Sequence, residues 1–124
     1  MAAGGEIIIE LSYPLDDLSP NARVHHMALH RAKKKAKEEA YWATKVEKPL
    51  DWAPPPGRLP ITITFHPVKG KAAKDIDNAL ACEKARIDGI SEALKVNDKL
   101  FDITPRLGEP KPHGGVTYEI GLTA

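Results

Sequence analysis

The sequence has little that would suit a secreted or membrane-spanning protein. Cys82 is the single cysteine, so the chain cannot form an internal disulfide, and nothing suggests an oxidising compartment. Its purely apolar stretches are only a few residues long, whereas a membrane-spanning helix needs roughly 20 apolar residues. Residues 1–6 contain neither the basic start nor the apolar stretch of a signal peptide. We therefore expect a soluble, cytoplasmic protein with no membrane segment.

The sequence also has almost no net charge. Its 124 residues include 18 Lys+Arg and 17 Asp+Glu, for a total of +1. Nucleic-acid-binding domains are usually strongly basic, so this total alone argues against DNA or RNA as a partner. The charge is unevenly distributed along the sequence, because residues 21–49 contain eight basic and three acidic residues. That segment carries +5 and leaves −4 for the remainder, which suits a phosphodiester substrate; the alternative is an ordinary solvated helix surface.

The hydrophobic pattern predicts an α+β fold, with a small mixed β-sheet of about four strands and two main helices in one domain, 1–124. Short β-branched or alternating runs predict the strands. Stretches with few or no Gly and Pro residues, in which side chains of one kind recur with the helical period, predict the helices. A proline-rich loop is expected over 47–60, and the last two strands are expected to form a hairpin. The predicted strands are 6–11, 61–66, 100–107 and 116–122, and the predicted helices are 21–46 and 77–94.

The first predicted helix has two distinctive features. Ser19 can cap its N-terminus, with Pro20 at the first helical position, where a missing N–H costs nothing. Along the helix, small side chains recur every three or four residues, so a neighbouring element can approach closely. This alanine stripe and the proline-rich loop are the two alternatives for a dimer interface. The stripe consists of Ala28, Ala32, Ala36, Ala40 and Ala43.

Three carboxylates form the candidate chemical site. Asp75 and Asp77 stand two residues apart where the chain enters the second helix, and Asp98 follows that helix. In an extended segment such a pair points the same way and can converge on a hard cation such as Mg²⁺. The alternative is that aspartate at a helix start acts as a cap. On a continuous helix, Asp77, Lys84 and Asp88 would share one face, so Lys84 could meet a metal-bound phosphate; otherwise they form a solvated stripe.

Three blocks of this sequence together resemble the RusA family of Holliday junction resolvases. They are residues 19–25 (SPNARVH), residues 75–78 (DIDN) followed by Lys84 and Asp88-Gly89, and residues 96–101 (VNDKLF). The resemblance extends from about residue 7 to residue 122. The chain departs from the family pattern at Ala81, where some members have the lysine, and at Asn97, where the family has the first of two acids.

The resemblance implies a dimeric, Mg²⁺-dependent endonuclease that cuts four-way DNA junctions, with Mn²⁺ as a substitute metal. Asp75, Asp77 and Asp98 would be the catalytic acids that bind the metal, and Lys84 would be the catalytic lysine. Lys74 matches a basic position before the first acid, and Asn78 matches a site residue. The residues expected to contact DNA are Asn21, Arg23, His25, Arg31, Lys69, Lys71, Lys74 and Asn78. Two other functions stay open: a catalytically inactive junction-binding protein of the same fold, and a small-molecule phosphohydrolase.

Overall fold

The computed structural model describes residues 6–14, 18–19 and 25–121. The fold is α+β with a four-stranded mixed sheet, as the sequence predicts. Among the described residues, three α-helices accompany the sheet, and a 3₁₀ turn, Asp98–Leu100, precedes the third strand. In chain order the elements are β1 (Ile7–Leu11), α1 (His26–Glu47), β2 (Leu59–His66), α2 (Ile76–Cys82), α3 (Lys84–Leu94), β3 (Phe101–Leu107) and β4 (Gly115–Ile120).

The sheet has the strand order β1-β4-β2-β3. β4 pairs antiparallel with both β1 and β2, and β3 pairs parallel with β2. The predicted hairpin between the last two strands is therefore wrong. Val116, Tyr118 and Ile120 of β4 are all buried, whereas β3 is mostly half-buried or exposed. The more apolar strand takes the interior position, and β3 takes the edge after a helical crossover from β2.

One face of the sheet supplies most of the hydrophobic core. Ile61, Ile63 and Phe65 alternate along β2 and are at most 2% exposed, while the residues between them are half-buried. Ile63 lies beside Tyr118 of β4, so the apolar sides of the central strands are in register. Alternation with a period of two residues separates the side chains that face the helices from those on the opposite face.

Helix α1 begins later than the sequence predicts. His25 is its N-cap, and the ring Nδ1 of His25 accepts a hydrogen bond of 3.2 Å from the backbone N–H of Met27. Ser19 therefore does not cap α1, and its hydroxyl donates instead to the Asn78 side chain. Pro20 and the other residues of 20–24 lie outside the described residues. The predicted proline-rich loop is present, although β2 already begins at Leu59.

The predicted helix over 77–94 is divided into α2 and α3 at Glu83. The backbone N–H of Glu83 donates to the Leu80 carbonyl, three residues back, at 3.0 Å, which marks a tight turn between the helices. Glu83 is completely buried and is held by Arg86 and Tyr118. The expected single helix is thus interrupted where a charged side chain turns into the core.

Helices α1 and α3 pack closely at two complementary sets of small residues. Ala36 and Ala40 of α1 are buried, and Gly89 of α3 is buried as well. A Cβ at Gly89 would overlap the Lys37 carbonyl oxygen and would stand 3.1 Å from the Tyr41 backbone nitrogen. The expected close approach to the alanine stripe is confirmed. Ala36 and Ala40, in the middle of the stripe, are buried within the chain and are not available to a dimer partner, whereas Ala28, Ala32 and Ala43 are half-buried.

Within the described ranges, the chain has no helix with the length and hydropathy required to cross a bilayer.

Candidate functional site

Asp75 and Asp77 stand at the start of α2. Asp75 is the N-cap residue (φ −57°, ψ 143°), yet its side chain makes no capping hydrogen bond. Asp77 lies in the first turn, and both residues are exposed. The expected extended segment is wrong because the helix already begins at Ile76, between the two acids. The carboxylate of Asp75 is not engaged as a helix cap and is available to another partner.

Two long-range hydrogen bonds hold other parts of the chain against this helix start. The Ser19 hydroxyl donates to Asn78 Oδ1 at 2.9 Å. The backbone N–H of Lys74 donates to the Tyr13 hydroxyl at 3.1 Å, and Lys74 is half-buried. The segment around Ser19 and the segment containing Asp75 and Asp77 therefore meet in space, although they are far apart in sequence. Asn21 and Arg23 fall outside the described residues.

Asp98 lies at the other end of the fold. It is exposed and begins the 3₁₀ turn that leads into β3, whose first residue, Phe101, pairs with Leu59 at the start of β2. The start of α2 lies near the end of β2 instead. Lys74, just before α2, donates to the Tyr13 hydroxyl, and Tyr13 follows Leu11, which lies level with Phe65 near the end of β2. A crossover between parallel strands starts at one end of the sheet and finishes at the other. The topology therefore separates Asp98 from Asp75 and Asp77 within one chain.

The described residues contain no larger cluster of metal-ligating side chains. Among the residues that the structure describes, no three of His, Cys, Asp and Glu form a group that could hold a metal ion. Among these described residues, Asp75 and Asp77 remain neighbours at the start of α2.

Lys84 is the first residue of α3 and is exposed. The predicted common face of Asp77, Lys84 and Asp88 is interrupted, because the break at Glu83 ends the continuous helix on which that spacing depends. Lys84 and Asp88 instead line a groove of about 330 Å³ between α1 and α3. We call this the α1–α3 groove; its polar lining residues are His30, Lys33, Lys34, Lys37, Lys84 and Asp88.

The remaining predicted DNA contacts are spread over the surface. His25 is exposed at the start of α1, and Arg31 is exposed one turn further along. Lys69 and Lys71 are exposed in the turn after β2, where the backbone N–H of Lys69 donates to the Lys111 carbonyl at 2.8 Å. No contact among the described residues joins these four side chains into one site.

The sequence did not reveal a buried charge network beside the helix break. The Tyr118 hydroxyl donates to Glu83 Oε1 at 2.6 Å, and Arg86 donates to both oxygens of Glu83 at 3.1 Å. Arg86 also donates to the Ser12 carbonyl at 2.8 Å and to Glu39 Oε1 at 3.1 Å. Glu83 and Arg86 are 0% and 2% exposed. The network joins α1, α3 and β4 to the end of β1, and it fixes the junction between α2 and α3.

Burial sets the protonation properties of this network. Desolvation raises the pKa of Glu83, and the neighbouring Arg86 opposes that rise. Burial and the adjacent Glu83 carboxylate raise the pKa of Tyr118 well above its usual value of 10.0. The carboxylates of Glu83 and Glu39 raise the pKa of Arg86 against the opposing effect of burial. A signal for this network was present in the sequence, because Glu83 falls near the apolar side of the predicted helix.

Comparison with protein families returns no family model that matches the chain. A protein of Xylella fastidiosa named "Uncharacterized protein" is 35% identical over 111 residues, which cover 86% of this chain and 70% of the relative. Identity at this level over most of both chains indicates common descent and a common fold. The chain therefore belongs to the same family as this Xylella fastidiosa protein.

Proposed function

We propose that the protein is a Mg²⁺-dependent endonuclease that cuts four-way DNA junctions as a homodimer. The observation that supports this most is the 2.9 Å hydrogen bond between Ser19 and Asn78. It joins two of the blocks on which the resemblance to the RusA resolvases rests, next to the exposed acids Asp75 and Asp77. Blocks that belong to one site are expected to meet in space, and these two do so across 59 residues of sequence.

The start of α2 suits a hard divalent cation in its donor chemistry. Mg²⁺ in nucleases typically binds one or two carboxylates and keeps several waters. Asp75 and Asp77 supply two exposed carboxylates, and Asp75 makes no capping hydrogen bond that a metal would have to replace. Mn²⁺ prefers the same oxygen ligands. When bound, such a metal lowers the pKa of a coordinated water and stabilises charge on a phosphoryl group.

The position of Asp98 bears on the proposed dimer. Asp98 precedes β3 beside the start of β2, and among the described residues of one chain it forms no metal-ligating group with Asp75 and Asp77. We propose that a second copy of the chain supplies Asp98 to the metal that Asp75 and Asp77 bind. A two-fold dimer would also present two equivalent sites, as symmetric cutting of a junction requires.

The test compares two aspartate variants on a synthetic four-way junction. Asp77→Asn removes a proposed metal ligand with little change in shape, and Asp102→Asn is the control, since Asp102 is exposed on edge strand β3. With Mg²⁺, we expect the unaltered protein and Asp102→Asn to cut the junction. Asp77→Asn should bind it but cut roughly 100-fold more slowly or worse.

The outcome of this experiment also separates the competing functions. Junction binding without cutting by the unaltered protein, with Mg²⁺ or Mn²⁺, would replace the proposal by a catalytically inactive junction-binding protein. Hydrolysis of small phosphodiesters without any binding to junctions would favour a phosphohydrolase. Equal cutting by Asp77→Asn and the unaltered protein would remove Asp77 from the site.

A further inference from the structure

The α1–α3 groove concentrates positive charge on the described surface. Four lysines and one aspartate line it, so its net charge is +3 before His30 is counted. Lys33, Lys34, Lys84 and His30 are exposed, so their charged ends are open to solvent. The protein as a whole carries only +1, and the groove is thus a local departure from a nearly neutral chain.

The arrangement of these cations follows from the helix period. His30, Lys33, Lys34 and Lys37 have the spacing i, i+3, i+4 and i+7, which places them on one face of α1. Lys84 lies across from them on α3. Close packing at Gly89 keeps the two helices together beside the groove. The cations are consequently presented by two packed helices rather than by a loop.

Most of this charge is not neutralised within the protein. Lys37 forms an ion pair with Glu92 of α3. In the described part of the chain, no ion pair involves Lys33, Lys34 or Lys84. Asp88 offsets only part of the charge of Lys33, Lys34 and Lys84, and cations held close together repel one another, so an anion placed between them relieves that repulsion. A chain of phosphates suits a groove with several such cations along it.

We infer that the α1–α3 groove binds the phosphodiester backbone of the DNA substrate. The identity of the ligand rests on the proposed function, whereas the anion-binding character rests on the groove itself. Lys84 lies in this groove with the lysines of α1, and its role is then to bind the DNA backbone rather than to act with Asp75 and Asp77. Lys33 and Lys34 belong to the basic segment 21–49 but were not among the residues expected to contact DNA, and they now join those contacts.

The test measures DNA binding without metal, so that cutting does not interfere. The groove variant is Lys33→Ala/Lys34→Ala, and the control is Lys35→Ala/Lys45→Ala, which removes two exposed lysines of α1 outside the groove. Binding of a fluorescent four-way junction is measured by anisotropy over a range of salt concentrations. We expect the groove variant to bind roughly 10- to 100-fold more weakly at about 0.1 M salt. Its log–log salt slope should be smaller by about two, and the control should change much less.

Lys84→Ala provides a second, independent variant. A backbone-binding lysine predicts weaker binding and a salt slope smaller by about one. Unchanged binding with slower cutting would restore the catalytic role of Lys84 and contradict this part of the inference. Equal binding by the groove variant and the unaltered protein would overturn the inference as a whole.

The alternative ligand for the α1–α3 groove is a free phosphate ion, and a separate experiment tests for it. If inorganic phosphate at matched ionic strength raises the Tm of the unaltered protein but not of Lys33→Ala/Lys34→Ala, while both bind DNA equally, the groove holds a small anion and the inference is wrong. The proposed function can fail separately. If Mg²⁺ produces no cutting while the groove variant still loses DNA binding, the groove is upheld and the nuclease is not.

Discussion

Arg86→Ala should destabilise the fold by about 3–5 kcal/mol, the range seen when one partner of a buried ion pair is removed. Arg86 is 2% exposed and donates to Glu83, Ser12 and Glu39. Its loss leaves the Glu83 carboxylate buried with only the Tyr118 hydroxyl as a donor. Denaturant unfolding at neutral pH measures the change, and Arg106→Ala, at an exposed arginine of β3, is the control, which should stay within about 0.5 kcal/mol.

The pH dependence of the same variant provides an internal check. Without Arg86, the pKa of Glu83 in the folded protein should rise further above its usual value of 4.5. The folded state then holds a proton that the unfolded state releases, so stability decreases as the pH rises from 4.5 toward the raised pKa. The variant should therefore lose less stability near pH 4 than at pH 7. A loss equal to that of Arg106→Ala at neutral pH would show that the buried pair does not stabilise the fold.

Gly89→Ala should also destabilise the protein strongly, although the same change in an exposed helix stabilises by about 1 kcal/mol. The new Cβ would overlap the backbone carbonyl of Lys37, which cannot move away as a side-chain end can. The helices must separate, and overpacking of this kind costs about 1–3 kcal/mol. The expected loss opposes intrinsic helix propensity, so the sign of the effect reports directly on the α1–α3 contact.

Asp88→Ala is the matched control for Gly89→Ala. Asp88 precedes Gly89 on α3 and is exposed, so its replacement should change the free energy of unfolding by no more than about 0.5 kcal/mol. If Gly89→Ala proved as stable as the unaltered protein, α1 and α3 would not approach as closely as the structure indicates.

Local patterns in the sequence predicted most of the secondary structure. The alternating apolar residues of β2 and β4 identify strands because that pattern depends only on neighbouring residues. The position of β4 between β1 and β2 depends on pairing across the whole sheet, and the expected hairpin was wrong for that reason. The break at Glu83 depends on Tyr118, 35 residues away, so helical periodicity alone did not predict it.

In the candidate site too, the features that depend on neighbouring residues were predicted, and those that depend on the whole fold were not. Asp75 and Asp77 are neighbours in sequence, and they stay neighbours at one helix start. Asp98 was grouped with them because it follows the same predicted helix and matches the family pattern, whereas the crossover from β2 to β3 places it beside the start of β2. Lys84 was assigned to the acids from its spacing on a continuous helix. That helix is broken, and Lys84 joins the lysines of α1 instead.

The most direct test of the proposed function is the cutting of a four-way junction by the unaltered protein, compared with a linear duplex that contains the same sequences. With Mg²⁺, the proposal predicts paired nicks in opposite strands of the junction, little cutting of the duplex, and no cutting when EDTA removes the metal. An intact junction in the presence of Mg²⁺ and Mn²⁺, or equal cutting of junction and duplex, would contradict it.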